Sequence, residues 1–350
     1  MIRPTAVWER VEPPAAAVAA LREAGVEGRI ADLLANRGIR DGDRAHAFLR
    51  PSLEHLVPAA TLGGVGVAVE RLRRARSSGE KVAIVGDYDA DGVAATALLA
   101  ATLRSVGIET LTILPLREEE GYGFQPLHAR RAAEDGCGLV LTVDCGVTGF
   151  EGAEEAARLG LDLIVTDHHL PGPTLPSALA IVNPKVDAGD DALCDLTGAG
   201  IAFKLACALL ESLGAEVPVR SLLRIACLGT IADVAHLTGE NRVIAALGLE
   251  ALARPRSAGL RALVDRAGVR APLRSSDVGF RLGPRLNAAG RIGSADDALD
   301  LLLERDPARA RELADRLERA NSERQSREAR ILEEARDRLR EREPLAPVVA

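Results

Sequence analysis

Short apolar runs alternate with helical patterns in the first half of the chain. Five runs rich in Val, Ile and Leu have the length of β-strands and occupy residues 81–86, 109–114, 138–143, 162–166 and 179–182. Patterns with apolar residues at helical spacing lie between them, at residues 92–105, 126–134 and 149–159. Strands that alternate with helices form parallel sheets with helices on both faces. The pattern therefore predicts an α/β fold with a doubly wound parallel sheet.

The pattern changes after Gly198, where strand signals end and one helical pattern follows another. From about residue 307 to residue 342, acids and arginines alternate at helical spacing, which predicts a long polar connector helix. After it, residues 345–350 begin to resemble a new strand. We therefore expect an N-terminal helical extension, an α/β domain, a helical arginine-rich region, the connector helix and the start of a further domain, at residues 1–60, 61–235, 236–306, 307–343 and 344–350.

The composition is that of a globular protein, with 47% hydrophobic residues in a chain of 350. No apolar run approaches the roughly 18 residues that a membrane span requires, and the charged N-terminus lacks the apolar part of a signal peptide. We therefore expect a cytoplasmic protein. The five cysteines form no C-x-x-C pair, which argues against a disulfide framework or a zinc site.

The net charge of −7 speaks against nucleic acid as a partner, but the charges are unevenly distributed. Nine arginines and two aspartates lie between Arg254 and Arg291. A local basic face can bind phosphates on an acidic protein, so we expect region 236–306 to contact DNA. An ordinary solvated surface is the alternative that charge alone leaves open.

Acids and histidines follow three of the predicted strands, at the point where each strand ends. They are Asp87, Asp89 and Asp91 after the first, Asp144 after the third, and Asp167, His168 and His169 after the fourth. Ligands of parallel sheets bind outside these carboxyl ends. Asp233 ends an apolar helical pattern and can close the group from the side. Converging carboxylates repel one another unless cations hold them, so the arrangement predicts a pair of divalent metals.

Each piece has a simpler explanation by itself. The segment 87–91 can be a calcium turn, Asp144 a helix cap and His168 a buried core histidine. Their joint placement at strand ends favours the metal site. The chain has no phosphate-binding P-loop motif, no G-x-G-x-x-G after the first strand and no G-x-S-x-G elbow, so those α/β chemistries lose support.

Four segments resemble the ordered motifs of the DHH phosphoesterase superfamily. They are Gly86-Asp-Tyr-Asp-Ala-Asp-Gly92, Thr142-Val-Asp-Cys-Gly146, Thr166-Asp-His-His169 and Gly229-Thr-Ile-Ala-Asp-Val234. Further segments resemble the RecJ family of single-strand-specific exonucleases within it, namely residues 33–39 with 48–51, Gly121-Tyr-Gly123 and residues 280–291. The resemblance covers essentially the whole chain.

The resemblance implies a role for each matching residue. The metal ligands would be Asp89, Asp91, Asp144, His168, Asp233 and, less firmly, Asp87. His169 would face the scissile phosphate as a catalytic residue together with Asp167. A site for the substrate and its 5′ phosphate would involve Arg117, Tyr122, Arg285, Asn287 and Arg291, with Tyr122 stacked on a base. A solvated arginine and a packed tyrosine are the alternatives.

The implied cofactors are two divalent ions, Mn²⁺ or Mg²⁺. The implied partners are single-stranded DNA, a single-strand-binding protein and a repair helicase, with no membrane.

Three features depart from the family pattern. Cys145 stands where an asparagine is usual, and His236 stands where proline is common and is not expected to be a ligand. Family members also continue into a second domain with a glycine-rich, histidine-containing motif and then a DNA-binding barrel. Neither is found before Ala350, so we expect the chain to be the catalytic part of a longer protein.

The favoured function is a metal-dependent 5′-to-3′ exonuclease that hydrolyses single-stranded DNA to mononucleotides in DNA repair and recombination. One alternative is a small-substrate phosphoesterase for oligonucleotides or cyclic dinucleotides, which needs the metals but not the basic segment. The other is a catalytically inactive replication scaffold, in which the metal-binding aspartates should have been replaced by other residues. Every matched ligand is present, which ranks the scaffold last.

Overall fold

The computed structural model describes residue 9 and residues 11–117 and 119–340. The chain divides into two compact units, with the boundary between Leu56 and Val57 rather than at residue 60. The end of the predicted connector, residues 341–343, and the predicted start of a further domain, residues 344–350, lie outside the described residues. The other domain boundaries stay predictions.

The first unit contains three short helices around a small apolar core. Leu21, Leu34 and Ala45 are buried in this core, one from each helix. Asp41 caps the third helix, where its side chain accepts a hydrogen bond of 2.8 Å from the N–H of Arg44. The elements are α1 (Ala15–Glu23), α2 (Gly28–Asn36), α3 (Gly42–Leu49) and a 3₁₀ turn, Leu53–His55.

The second unit is built on one parallel sheet. Its five strands are arranged in the order β2-β1-β3-β4-β5, and their bounds are β1 (Lys81–Gly86), β2 (Thr110–Ile113), β3 (Cys137–Val143), β4 (Asp162–Thr166) and β5 (Ala180–Val182). Each predicted strand agrees to within one residue at either end. In this order the chain reverses direction across the sheet between β1 and β3, which is where ligands bind in doubly wound folds. The predicted fold class is confirmed.

Helices cover both faces of the sheet. On one face, α4 packs on β5 and α5 packs on β1, while on the other α6 packs on β3 and α7 on β4. Val85, Val140 and Val165 face the second pair of helices and form a core with Phe124. The bounds are α4 (Val65–Ser78), α5 (Ala90–Ser105), α6 (Pro126–Glu134) and α7 (Phe150–Arg158).

The rest of the second unit is helical, as predicted. α8 and α9 pack against α5, so that α5 is buried on almost every side. This explains why α5 has almost no polar face. The bounds are α8 (Gly198–Ser212), α9 (Val219–Ala232), α10 (Gly239–Leu252), α11 (Ala258–Arg266), α12 (Ser275–Asp277), a π turn at Val278–Leu282, α13 (Gly283–Ile292), α14 (Asp296–Leu303) and α15 (Pro307–Arg340), with 3₁₀ turns at Ala59–Thr61 and Asp191–Leu193.

The long helix α15 has two different halves. Its first half packs on α11, α13 and α14 through a buried stripe that includes Leu313 and Leu317. Beyond Asn321 its side chains are almost all exposed. The first half is therefore part of the folded unit rather than a free connector. Within the described residues, no helix combines the length and apolar character that a membrane span requires.

A buried ion pair joins α8 to α10. Lys204 and Glu240 are 2% and 0% exposed, and Nζ of Lys204 lies 2.8 Å from Oε1 of Glu240. The backbone of Val57 completes the group, because its carbonyl accepts from Lys204 and its N–H donates to Glu240. Each charge is thus balanced by the other, and both side chains are hydrogen-bonded to the backbone at the start of the second unit.

Removing one member should destabilise the protein more than removing both. Lys204→Met leaves the buried Glu240 unpaired and should lower the free energy of unfolding by about 3–5 kcal/mol. The double variant Lys204→Met/Glu240→Met should lose less than either single variant, as urea unfolding can measure. Lys185→Met, at a more exposed lysine, is the control and should cost less than about 1 kcal/mol. Additive losses in the double variant would contradict this account.

Candidate metal centre and substrate cleft

The acidic loop between β1 and α5 is held by its own backbone. Asp89 caps α5, where Oδ1 accepts hydrogen bonds of 2.9 Å from the N–H groups of both Asp91 and Gly92. Oδ1 of Asp87 accepts from the N–H of Tyr88 at 2.7 Å. Asp87 and Asp89 thus each use one oxygen to order the loop. Among the described residues, the second oxygen of each has no hydrogen-bond partner.

Asp91 is buried in the first turn of α5 and is bound by a different helix. Its Oδ2 accepts from the N–H of Gly198 at 2.7 Å and its Oδ1 from the N–H of Ala199 at 3.0 Å. These groups begin α8, where unpaired N–H groups and the helix dipole favour an anion. A Cβ atom on Gly198 would lie 2.5 Å from Cβ of Asp144. The close approach of α8 to both aspartates therefore requires glycine here.

Asp144 lies at the end of β3, in the middle of the site, and is 1% exposed. Among the described residues, its buried Oδ1 has no hydrogen-bond partner. Nε2 of His168 is 3.0 Å from this oxygen but outside the angular range of a hydrogen bond. Buried polar atoms normally have a hydrogen-bond partner. The close approach of Oδ1 and Nε2 without a hydrogen bond between them is the arrangement expected of two ligands of one cation. This orphaned oxygen shows that a cation fits among these residues.

Left-handed backbone also concentrates at this site. Among the described residues, two that are not glycine have positive φ, Asp144 at 61° and Val234 at 59°. Val234 directly follows Asp233, which ends α9. Such a conformation is unfavourable, above all for a β-branched residue, and it persists where the surrounding structure imposes it.

The candidate ligands form sets that meet at the centre. Nε2 of His168 lies 3.8 Å from Asp91 and 3.9 Å from Asp233. Within each set, one ligand atom per residue lies within 4.8 Å of the others, and the sets are Asp87 with Asp89 and Asp144, Asp91 with His168 and Asp233, and Asp144 with His168 and His169. Because the sets share members, the described residues can hold two neighbouring cations.

Burial and mutual repulsion disfavour ionisation of these carboxyls and raise their pKa values. Burial, then the charge of Asp89, raises the pKa of Asp87 to about 7 and that of Asp91 to about 8. The same causes raise the pKa of Asp233 to about 6, and burial with Asp91 raises the pKa of Asp144 well above its usual range. Burial, then His169, lowers the pKa of His168 to about 4, so its imidazole is in the neutral form that binds metals.

Asp167 and His169 form a separate pair beside the cation sites. Oδ1 of Asp167 lies 2.7 Å from Nδ1 of His169, and its carboxylate also accepts from three backbone N–H groups, those of Val147, His168 and His169. Burial alone would raise the pKa of Asp167, but these hydrogen bonds lower it. The hydrogen bond to Asp167 raises the pKa of His169. Asp167 thus fixes the His169 ring, and its own oxygens are already occupied.

A cleft of about 200 Å³ opens beside the carboxylates. Arg117 and Arg291 line it and are exposed, and the guanidinium of Arg117 stacks over the ring of Tyr88 at 5.3 Å. Asn287 also lines it, and its Oδ1 accepts from the N–H of Ala90 at 2.7 Å. Tyr122 is 44% exposed, with its hydroxyl 3.2 Å from Nδ1 of His169. Three of the predicted substrate residues, Arg117, Asn287 and Arg291, thus line one cleft, whereas Tyr122 lies against His169 outside that lining.

Arg285 does not join them. Its guanidinium donates to Glu318 on α15, with Nε–Oε2 at 2.9 Å, and to the carbonyl of Arg281. Since these partners hold it away from the cleft lining, it connects two helices instead of facing a substrate. Cys145 also points away from the carboxylates, because its Sγ donates to the carbonyl of Val85 on β1.

Sequence patterns missed the anchor of the loop that carries Arg117 and Tyr122. Glu120 accepts from the N–H of Leu116 at 3.1 Å and from Arg131 at 2.6 Å, and it faces the buried His128 at 3.4 Å. Glu120 thereby connects the loop both to its own start at Leu116 and to α6. The acid and its partners lie too far apart in sequence to form a recognisable motif.

Comparison with known proteins places this site in a family. Residues 81–230 match the model of the DHH family, N-terminal domain. The single-stranded-DNA-specific exonuclease RecJ of Bacillus subtilis is 40% identical over 330 residues, which are 94% of this chain and 41% of that protein. The chain thus spans less than half the length of this relative.

Two solved structures resemble the fold. The crystal structure of exonuclease RecJ bound to manganese has a TM-score of 0.75 at 39% identity, covering 81% of this chain and 71% of that one. RecJ from Thermus thermophilus in complex with Mn²⁺ has a TM-score of 0.78 at 35% identity, covering 93% and 46%. With the DHH motifs on one ligand cluster and this degree of identity, the chain belongs to the RecJ family of DHH proteins.

Proposed function

We propose that this chain hydrolyses single-stranded DNA from its 5′ end to mononucleotides, using two divalent cations, in DNA repair and recombination. The observation that carries the proposal is the buried Oδ1 of Asp144, which has no hydrogen-bond partner at the junction of the ligand sets. The names of the relatives connect such a site with single-stranded DNA and manganese. A cytoplasmic location, and contacts with a single-strand-binding protein and a repair helicase, belong to the same proposal.

The cation sites follow from the ligand sets. Asp87, Asp89 and Asp144 would hold one ion, and Asp91, His168 and Asp233 the other. Oxygen ligands suit Mg²⁺, whereas the imidazole of His168 moves the preference toward Mn²⁺. When bound, a pair of such ions supplies positive charge at a scissile phosphate and makes a water more nucleophilic.

His169 is the residue proposed to face the scissile phosphate. Asp167 occupies its Nδ1, and Nε2 lies 3.3 Å from the hydroxyl of Tyr122. A phosphoryl oxygen or the leaving oxygen would replace that hydroxyl as the partner of Nε2. Because the hydrogen bond to Asp167 also raises the pKa of His169, the imidazole ring stays protonated and positively charged closer to neutral pH. Asp167 acts through His169 and positions it.

The cleft is proposed to set the direction of attack. Arg117 and Arg291 would bind the 5′ terminal phosphate through charge-assisted hydrogen bonds, and Tyr122 would stack on a base. No such pair is needed for a strand bound at an internal position. The exposed guanidinium groups therefore favour substrates with a phosphorylated end.

Digestion of end-labelled oligonucleotides tests the function. With Mn²⁺ or Mg²⁺, a 3′-labelled single strand should shorten progressively from its 5′ end, while a blunt duplex should resist. Hydrolysis of only dinucleotides or cyclic dinucleotides would instead establish the small-substrate phosphoesterase. A chain that hydrolyses none of these with either metal would refute the enzyme and favour the scaffold.

Asp144→Asn is the sharpest test of the cation sites. Asparagine adopts positive φ more readily than alanine, so the backbone at this residue should persist. Turnover should fall by about a thousandfold or more, because the bound ions contribute several kcal/mol to the transition state. Asp43→Asn, at an exposed acid in the first unit, is the control and should retain the wild-type rate.

Asp144→Asn should lower turnover but raise the stability of the metal-free protein. The folded-state pKa values of Asp87, Asp91 and Asp144 are raised, so the metal-free protein should lose stability as pH rises from about 4, where the unfolded carboxyls ionise, to about 8. Mn²⁺ should reverse that loss in the wild type. Metal-free Asp144→Asn should melt at a higher temperature than wild type at pH 8 and gain little from Mn²⁺. A wild-type melting temperature that changes neither with pH nor with added Mn²⁺ would contradict the electrostatic account.

The two cleft arginines should matter most for phosphorylated ends. Arg117→Gln or Arg291→Gln should slow digestion of 5′-phosphorylated strands by about tenfold or more, since a charge-assisted hydrogen bond contributes about 1.5–3 kcal/mol. Strands with a 5′ hydroxyl should be affected much less. Arg29→Gln, at an exposed arginine of the first unit, is the control and should leave both rates unchanged. Equal slowing on both substrates would assign the arginines to general backbone binding.

A further inference from the structure

A second and larger cleft lies in the helical region, away from the metal centre. Its volume is about 1000 Å³, and it is bounded by the start of α9, the end of α10 and residues 253–256 and 271–273. Four arginines line it, Arg220, Arg224, Arg254 and Arg256, against one acid, Glu250. The lining therefore carries an excess of three positive charges.

Arg224 is the buried member of this group and is 9% exposed. Its Nε donates to the carbonyl of Ala251 at 2.9 Å, and one terminal nitrogen donates to Oγ of Ser221 at 3.2 Å. Neither partner is charged, and among the described residues no carboxylate lies within ion-pair distance. Burial, then Arg256 and Arg220, lowers the pKa of Arg224. A buried cation beside other cations lacks the counter-charge that such groups normally have.

The exposed arginines of the cleft have few acidic partners. On α15, Arg316, Arg324 and Arg327 pair with acids one helical turn away. In contrast, no ion pair is found for Arg254 or Arg256 among the described residues, and Arg220 reaches Glu250 only at 3.4 Å. The guanidinium groups of this cleft thus remain available to an anion from solution.

Apolar surface completes the lining. Leu249, Pro255, Pro272 and Leu273 lie in the same cleft as the arginines. An inorganic anion would use the guanidinium groups alone, whereas a nucleotide presents phosphates together with a flat base. Arginine forks match phosphate oxygens, and apolar side chains can contact the face of a base.

The distance from the metal centre makes this a separate site. Arg220 lies in the first turn of α9 and Asp233 directly follows its last residue, Ala232. Thirteen residues of helix at 1.5 Å each separate them by about 20 Å. A terminal phosphate held by Arg117 and Arg291 therefore cannot also occupy the second cleft.

We propose that this arginine-lined cleft binds nucleotide phosphates, either within a DNA strand or in a free nucleotide. The inference goes beyond the proposed function, because it concerns binding at a site with no catalytic groups. Arg254 and Arg256 would make the outer phosphate contacts, and Arg224 the inner one.

Binding without hydrolysis tests it. The full chain with Asp144→Asn, in the absence of metal, is titrated with a fluorescent oligothymidine at several salt concentrations and with fluorescent mant-ADP. Adding Arg254→Gln and Arg256→Gln should lower the logarithmic salt slope for oligothymidine by about 1.4, at 0.7 for each phosphate contact. If free nucleotides are ligands, the same pair should weaken mant-ADP binding by about tenfold or more.

The control pair is Arg29→Gln with Arg37→Gln, two exposed arginines of the first unit. It changes the net charge equally and should alter neither titration. A loss with oligothymidine alone assigns the cleft to the strand, and a loss with mant-ADP assigns it to free nucleotides as well. No change with either probe, or an equal change in the control pair, would overturn the proposal. These outcomes do not depend on whether the chain digests DNA.

Discussion

The crowding of carboxylates at the carboxyl ends of β1 and β3 is the constraint on which the site depends. Buried acids at this spacing repel one another and lose hydration, as the raised pKa of Asp91 reflects. The fold offsets part of this cost with the N–H groups at the start of α8, which bind Asp91. It leaves the buried Oδ1 of Asp144 without a hydrogen-bond partner among the described residues. This end of the sheet is thus organised to bind positive charge.

The surrounding architecture follows from that requirement. α5 must begin within the cluster, so Asp89 caps it. The helix is then buried by packing against α8 and α9. α9 must end beside the cluster to present Asp233, and its last turn leads into the left-handed residue Val234. The helical region is therefore part of the candidate site, because α8 binds Asp91 and α9 presents Asp233.

Local sequence patterns predicted much of this arrangement. Strand ends were predictable because apolar runs in a parallel sheet are short and sharply bounded, and the acids after β1, β3 and β4 must then meet at one edge. The patterns could not predict contacts between distant residues, such as the link from Asp91 to Gly198. They also gave Arg285 a substrate role, because a side chain's direction depends on a partner, Glu318, that only the folded chain brings near.

The placement of Arg285 has a mechanical consequence. α13 is tied on one side to α5 by Asn287 and on the other to α15 by Arg285 and Glu318. Arg291 lies at the end of the same short helix and lines the cleft together with Arg117. A displacement of α15 would therefore be transmitted through α13 to one of the two guanidinium groups of the cleft. The exposed second half of α15 thus belongs to an element that side-chain hydrogen bonds connect, through α13, to the loop that carries the carboxylates.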